Sequence, residues 1–251
     1  GEILTDYVIY TTGSSPKSLK MIENLGHKIV LPVPSLFTFN IKDARIKELP
    51  GVAAQVTVKV KDTKLTSTGP LLITHWGMSG PAILKLSAWG ARELFDKNYN
   101  FQLIVNFTND LVFDEVLEEL IQQKQQQPKK TINKHTQYGL TNRLWQQLVK
   151  ASFIPEDLIW ADVSKKQLVH LAEQLTQATF HVNGKSTFKD EFVTAGGVDL
   201  KEINFKTMES KILENLYIAG EVLNIDAVTG GFNFQACWSE AWLIAQDLNT
   251  K

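Results

Sequence analysis

The sequence contains one cysteine, Cys237, in 251 residues. A single thiol excludes an internal disulfide and a two-cysteine redox centre, and it fits a reducing compartment, so a cytoplasmic setting is expected. No apolar run approaches the roughly 20 residues needed to span a bilayer, and no charged stretch followed by an apolar one opens the chain as a leader would. Excess charge is absent too: 26 Lys and Arg stand against 27 Asp and Glu, a net −1. That gives no electrostatic case for nucleic acid or an anionic membrane. The basic cluster Lys129, Lys130 and Lys134 lies beside a glutamine run and reads as a solvated loop. His27, His75, His135, His170 and His181 are scattered, without ligand spacing among themselves or with Cys237, so no metal site is expected. Neither G-x-G-x-x-G nor a P-loop occurs anywhere. What is present is ordinary: 43% apolar and 21% charged residues, a soluble globular composition long enough for about two domains.

Along the chain, Asp6–Tyr10 reads as a buried strand and Lys17–Leu25 as a helix with Gly26 behind it. Leu31-Pro32-Val33-Pro34-Ser35 reads as a rigid extended connector, since each proline fixes its own φ. The period then changes to two in Leu36–Ile41, Val52–Val60 and Phe101–Phe107, with Thr68-Gly69-Pro70 between Lys64–Ser67 and Leu71–Thr74. Short alternating segments separated by turn residues predict a small antiparallel sheet or barrel. A helix is expected over Pro81–Phe95, entered through a tight turn at Gly77 and Gly80. Helical spacing returns from Phe113, dissolving at Gln122–Pro128, and again over Asn142–Ala151, Pro155–Ile159 and Lys165–Thr176, the last capped by Ser164. Thr179–Val182 is a strand, with Asn183-Gly184 a hairpin signal. The fold expected is α/β (α+β overall), one α/β domain of residues 1–35 with 193–251, interrupted by a barrel-plus-helices insert over 36–192.

Leu216 to Ala245 carries the most information: an apolar strand, Gly220-Glu221, a loop, Thr229-Gly230-Gly231, then a helix. Paired glycines allow φ > 0 and close approach to a flat ligand. The first turn of the helix behind them offers unpaired N–H groups and a positive dipole end, a seat for an electron-rich edge. With Thr74–Leu84, Val193–Val198 and Thr207–Lys211, this run resembles the FAD-dependent oxidoreductases of the aminoacetone-oxidase type, across nearly the whole chain.

The resemblance implies FAD as cofactor. In it Glu221, beside Gly220, contacts the ribityl chain; behind Thr229, the amides of Phe232 and Asn233, freed by Gly230 and Gly231, face the pyrimidine edge of the ring. Tyr7–Gly13 resembles a strand-plus-A-T-G element, which places Thr12 and Gly13 near the adenosine diphosphate portion. The chain departs from the pattern at Asn224, where aspartate is common, and at Ala227, where glycine is, which leaves a role for Asp226 open. The family's G-x-G-x-x-G unit does not occur here, and the chain is expected to be a C-terminal fragment that alone holds FAD weakly or not at all and is inactive alone.

Blander readings stand beside these. Glu221 can be a solvated carboxylate, and the glycine pair a plain turn. His75 beside Trp76 reads more readily as structural than as a general base, and with Ser79 it makes no triad. Cys237 and the six tryptophans read as packing. No catalytic residue is assigned. Two functions remain: part of a flavin-dependent oxidoreductase acting on a small molecule, with NAD(P)H as electron donor left open, or a non-catalytic binding module with a vestigial flavin site. Substrate and oligomeric state are not fixed by the sequence.

Overall fold

In the computed structural model, which describes residues 1–186 and 193–251, the chain forms two compact units, Gly1–Leu36 with Lys189–Lys251 and Phe37–Phe188. The expected boundary at Phe192 lies outside the described residues.

The first unit opens with strand β1 (Val8–Tyr10), shorter than expected and buried only at Tyr10. Val8 and Ile9 stay about half exposed because β1 is an edge strand with a neighbour on one side only. Helix α1 (Pro16–Asn24) starts on proline, with Ser15 Oγ accepting the Ser18 amide. The expected proline connector is instead a paired strand, β2 (Ile29–Ser35). Its register shifts between Val30 and Val33, so Pro32 falls in the irregularity where no ladder bond is required.

The second unit is built on a closed antiparallel barrel of β3 (Phe39–Ile41), β4 (Ala53–Val60), β5 (Thr66–Ile73), β6 (Gly77–Ser79), β7 (Asn100–Asn106) and β8 (Ala178–Lys185). Their order around the barrel is β3-β6-β5-β4-β7-β8. Val56, Val58 and Val60 point inward, the face that period two assigned them. Three expected turns are strand. Gly69-Pro70 lies inside β5, opposite Val56 and Gln55. Asn183-Gly184 lies inside β8, where Gly184 at φ +96° takes up the register shift against β3. Gly77 belongs to β6, which approaches β3 so closely that a Cβ there would lie 2.1 Å from the Phe39 carbonyl oxygen.

The expected helix over Pro81–Phe95 breaks at Gly90 into α2 (Pro81–Trp89) and α3 (Ala91–Asp96). Helix α4 (Phe113–Gln126) continues through the glutamine run, with Lys124 Nζ donating to the Val163 carbonyl at 2.6 Å. Helices α5 (Asn142–Ala151) and α6 (Lys165–Thr176) occupy their expected spans, and Ser164 and Gln167 form a capping box. Pro155–Ile159 is not a helix: Ile159 bridges Thr131, and the Leu158 carbonyl accepts from Ile132, which commits that backbone to a partner strand-like segment. Trp145 and Trp160 are fully buried, whereas Trp76, Trp89, Trp238 and Trp242 are exposed, so packing accounts for only two of the six.

The chain then returns to the first unit with β9 (Val193–Val198), β10 (Ile203–Asn204), β11 (Glu209–Ser210), β12 (Leu216–Ile218) and α7 (Phe232–Leu248). β9 pairs antiparallel with β2, and β12 lies between β1 and β11, parallel to β1. Buried His27 ties this unit together, with Nδ1 at 3.0 Å from Glu202 and Nε2 at 2.9 Å from Ser210. Among the described residues no helix is long and apolar enough to cross a membrane.

Candidate functional site

Because β1 and β12 are parallel, with Tyr10 beside Ile218, the segments that leave their carboxyl ends leave on the same side. The Ala219 amide donates to the Tyr10 carbonyl at 3.1 Å, which keeps Thr12-Gly13 and Gly220-Glu221 on that shared end. The carboxyl ends of parallel strands are where open α/β sheets hold ligands. Gly13 and Gly220 turn there at φ +72° and +86°. A polar chain links the two turns: Ser14 Oγ donates to Thr194 Oγ1 at 2.9 Å, and the Thr194 amide donates to Glu221 Oε1 at 3.0 Å. One Glu221 oxygen is therefore engaged by β9, which fixes the direction of the side chain.

The loop after Glu221 rises to α7. Gly230 (φ +124°) and Gly231 (φ +87°) bring the backbone into the helix, and no side chain caps its first amides. Those amides need another acceptor. The Asn233 side chain is not that acceptor's neighbour by chemistry of its own: Oδ1 accepts from the Ala227 amide at 2.9 Å, and Nδ2 donates to the Ala227 carbonyl at 3.0 Å. It clamps the loop. Asp226 accepts from Ser35 Oγ at 3.1 Å, a second tie of the same loop.

Between this loop, the β12 end and α7 lies a mostly apolar cavity of about 410 Å³. Gly220, Glu221, Thr229, Gly230, Gly231 and Asn233 line it, while Thr12, Gly13 and Phe232 do not. Phe232 turns its ring outward, 57% exposed. Sequence reasoning missed two lining residues on α7, Cys237 and Glu240. Cys237 is half-buried against this cavity rather than packed in the core as expected. Glu240 is 5% exposed, and its Oε2 accepts the Gly220 amide at 2.6 Å. The available signal was spacing: Glu240 precedes buried Ile244 by one helical turn and shares its inward face. His75 is exposed on the β5–β6 connection. Among the described residues no group of His, Cys, Asp and Glu could hold a metal ion.

Burial pushes the Glu240 carboxyl above its ordinary range, against the opposing pull of the Gly220 amide. Burial, with Glu240 and Glu221 nearby, also pushes the Cys237 thiol up, so it is no thiolate nucleophile at neutral pH. A raised acid pKa means the folded chain holds a proton that the unfolded chain has released. Stability therefore falls as pH rises above about 4.5, the ordinary Glu value. Glu240→Gln removes this proton linkage. Urea unfolding from pH 4 to 8 is expected to show the variant gaining on the wild type as pH rises through that window; a difference independent of pH would overturn the assignment.

The barrel and helical part match the model of the HI0933-like protein barrel and H2TH domain over residues 33–193, more than half of the chain. The chain belongs to the HI0933-like family. It is 32% identical over 240 residues to a ribosomal RNA dihydrouridine synthase of Haemophilus influenzae, covering 94% of this chain and 57% of that protein. The Escherichia coli ribosomal RNA dihydrouridine synthase is 31% identical over 245 residues, with the same coverage. A 3-dehydro-bile acid delta(4,6)-reductase of Clostridium scindens is 23% identical over 234 residues, 92% of this chain and 57% of that protein. The chain thus spans 57% of the length of these curated relatives.

Proposed function

We propose that this chain supplies the flavin-facing segment and the substrate-covering insert of a flavin-dependent reductase that saturates a carbon–carbon double bond conjugated to a carbonyl. The observation that carries the reading is the uncapped N-terminus of α7, opening through Gly230-Gly231 onto an apolar cavity at the carboxyl ends of β1 and β12. A fit to a flat ring follows from the glycines: a Cβ at Gly220 or Gly231 would meet nothing within 4 Å, so both leave space on the cavity side. The volume of about 410 Å³ lies at the lower end of ligand pockets and suits a ring system rather than a whole dinucleotide. In the proposal the remainder of an FAD is held by polypeptide outside these residues, and the isolated chain holds flavin weakly.

When bound, the flavin supplies the hydride chemistry. The amides of Phe232 and Asn233 accommodate negative charge on the ring edge, and Gly220-Glu221 orients the attached chain. Asn233 holds the loop against Ala227, and the apolar wall excludes water. The reaction class is drawn from the relatives' names. A dihydrouridine and a reduced delta(4,6) 3-dehydro-bile acid both result from adding hydrogen across a double bond conjugated with a carbonyl. Amine oxidation of the aminoacetone-oxidase type uses the same flavin in the opposite sense. A small-molecule substrate agrees with the net charge of −1. A uridine within RNA is the second reading, favoured by the 31–32% identity to the two ribosomal RNA synthases.

The test is a titration of the chain with riboflavin and FAD, followed by amide chemical shifts, a readout that detects weak binding. The amides of Gly220 and of 230–233 are expected to move together and to stop moving in Gly231→Val. Unmoved amides at millimolar flavin would overturn the flavin reading. Reduced flavin with NADPH or NADH as source, offered a conjugated steroid enone or a uridine-containing RNA, then separates the two substrates.

A further inference from the structure

One polar group in the cavity has no assigned task. Glu240 is carried by α7 into the cavity wall, 5% exposed, among Gly220, Glu221, Ala236 and Cys237. A carboxyl group placed in a largely apolar wall is costly unless it is paired. Among the described residues no Lys, Arg or His forms an ion pair with it, and the donor that reaches it is the Gly220 amide. That amide donates to Oε2, which makes Oε2 the carbonyl-like oxygen. The other oxygen, Oε1, is left with no protein partner. An unsatisfied buried polar group is expensive, so its presence asks for a partner brought in from outside.

We propose that Glu240 is a specificity-determining residue of this cavity: a carboxylic acid whose Oε1–H donates to an acceptor, a carbonyl oxygen or ring nitrogen, on the edge of the bound ring. This rests on the flavin reading above, since a flavin ring carries such acceptors. Burial holds the proton on the acid at neutral pH, in agreement with that geometry. The titratable neighbours named with it, Glu221 and Cys237, bring no positive charge that would favour the ionised form. With the uncapped amides of α7 the cavity then presents donors from two directions. It selects flat ligands with acceptors on the edge over ligands that carry a cation or a donor there. Gly220 is held in place by the same side chain, so Glu240 joins the β12 turn to the ligand through its two oxygens.

Three proteins test this: the wild type, Glu240→Gln and Glu240→Ala. The glutamine keeps both an acceptor for Gly220 and a donor for the ligand, so riboflavin affinity is expected to stay within about twofold of wild type. The alanine keeps neither, and a loss of about tenfold is expected, the scale of one buried hydrogen bond. Loss of the Gly220 anchor alone could weaken Glu240→Ala, so the deciding readout is infrared difference spectroscopy. Wild type minus Glu240→Gln is expected to show a protonated-acid carbonyl stretch at neutral pH that shifts when riboflavin is added. A carboxylate band in its place, or an acid band unmoved by bound riboflavin, would overturn the inference and leave the flavin reading standing. Failure of the wild type to bind riboflavin or FAD at all would overturn both.

Discussion

Gly197→Ala is expected to dismantle the candidate site and to cost about 3–5 kcal/mol of stability, the scale of severe backbone conflict. Gly197 has φ +126°, which an L side chain rarely adopts. A Cβ there would lie 2.3 Å from the Val222 carbonyl oxygen and 2.8 Å from the Leu223 carbonyl carbon. Both are backbone atoms and cannot swing aside as the end of a side chain could. They are also tethered, since Val198 donates to the Val222 carbonyl at 2.9 Å and Asn224 to the Val198 carbonyl at 3.1 Å. The chain that follows Gly220-Glu221 is thus laid directly on β9. Neighbouring Gly196 meets the same limit on the other side, where a Cβ would lie 2.6 Å from the Leu31 carbonyl oxygen. Urea unfolding measures the cost. Gly51→Ala is the control: its φ is +86° but a Cβ meets nothing within 4 Å, so about 1 kcal/mol is expected. Equal costs in the two variants would show that φ strain, and not the close approach, is what the glycine serves.

Trp145→Ala is expected to destabilise the barrel-and-helix unit by about 3–5 kcal/mol, as large-to-small changes of a buried aromatic do. Trp145 is fully buried on α5, and its Nε1 donates to the Ile132 carbonyl at 2.9 Å. The variant opens a cavity and strips that carbonyl of its donor, and the second loss alone costs about 1–3 kcal/mol. Trp145→Phe retains most of the volume and is expected to lose roughly half as much. Trp89 provides the contrast. It is 61% exposed, with Lys85 Nζ 4.5 Å from its ring centre, so Trp89→Ala should cost within about 1 kcal/mol. A Trp145→Ala protein with an unchanged unfolding midpoint would contradict the burial assigned to it.

The two tryptophans show where sequence reading stops. Trp89 and Trp145 both sit on helices among apolar neighbours, and their environments differ only because of what the fold brings over each. Turn chemistry failed for a related reason. Gly69-Pro70 and Asn183-Gly184 are strong local turn formers, yet the ladders of β5 against β4 and β8 against β7 run through them. Closing a barrel satisfies more backbone groups than two local turns would, and the glycines serve as points of bend and register shift. Pro155–Ile159 lost its helix to pairing with Thr131–Ile132. At the site, the strand–Gly-Glu–Gly-Gly–helix order was legible because each part has a local cause. Glu240 was not, because a glutamate one turn before an isoleucine carries no mark of what lies opposite it.

By itself the sequence determined what neighbours in the chain decide: the spans of α5 and α6 from apolar spacing and caps, the inward face of β4, and the glycine-led start of α7. Tertiary structure alone decided which segments close the barrel, which tryptophans are covered and which polar groups face the cavity. Those outcomes rest on pairs distant in sequence, Thr194 with Glu221 and Gly220 with Glu240. Each costs the entropy of closing a long loop, and only the assembled fold, where neighbouring contacts offset that cost together, can hold them.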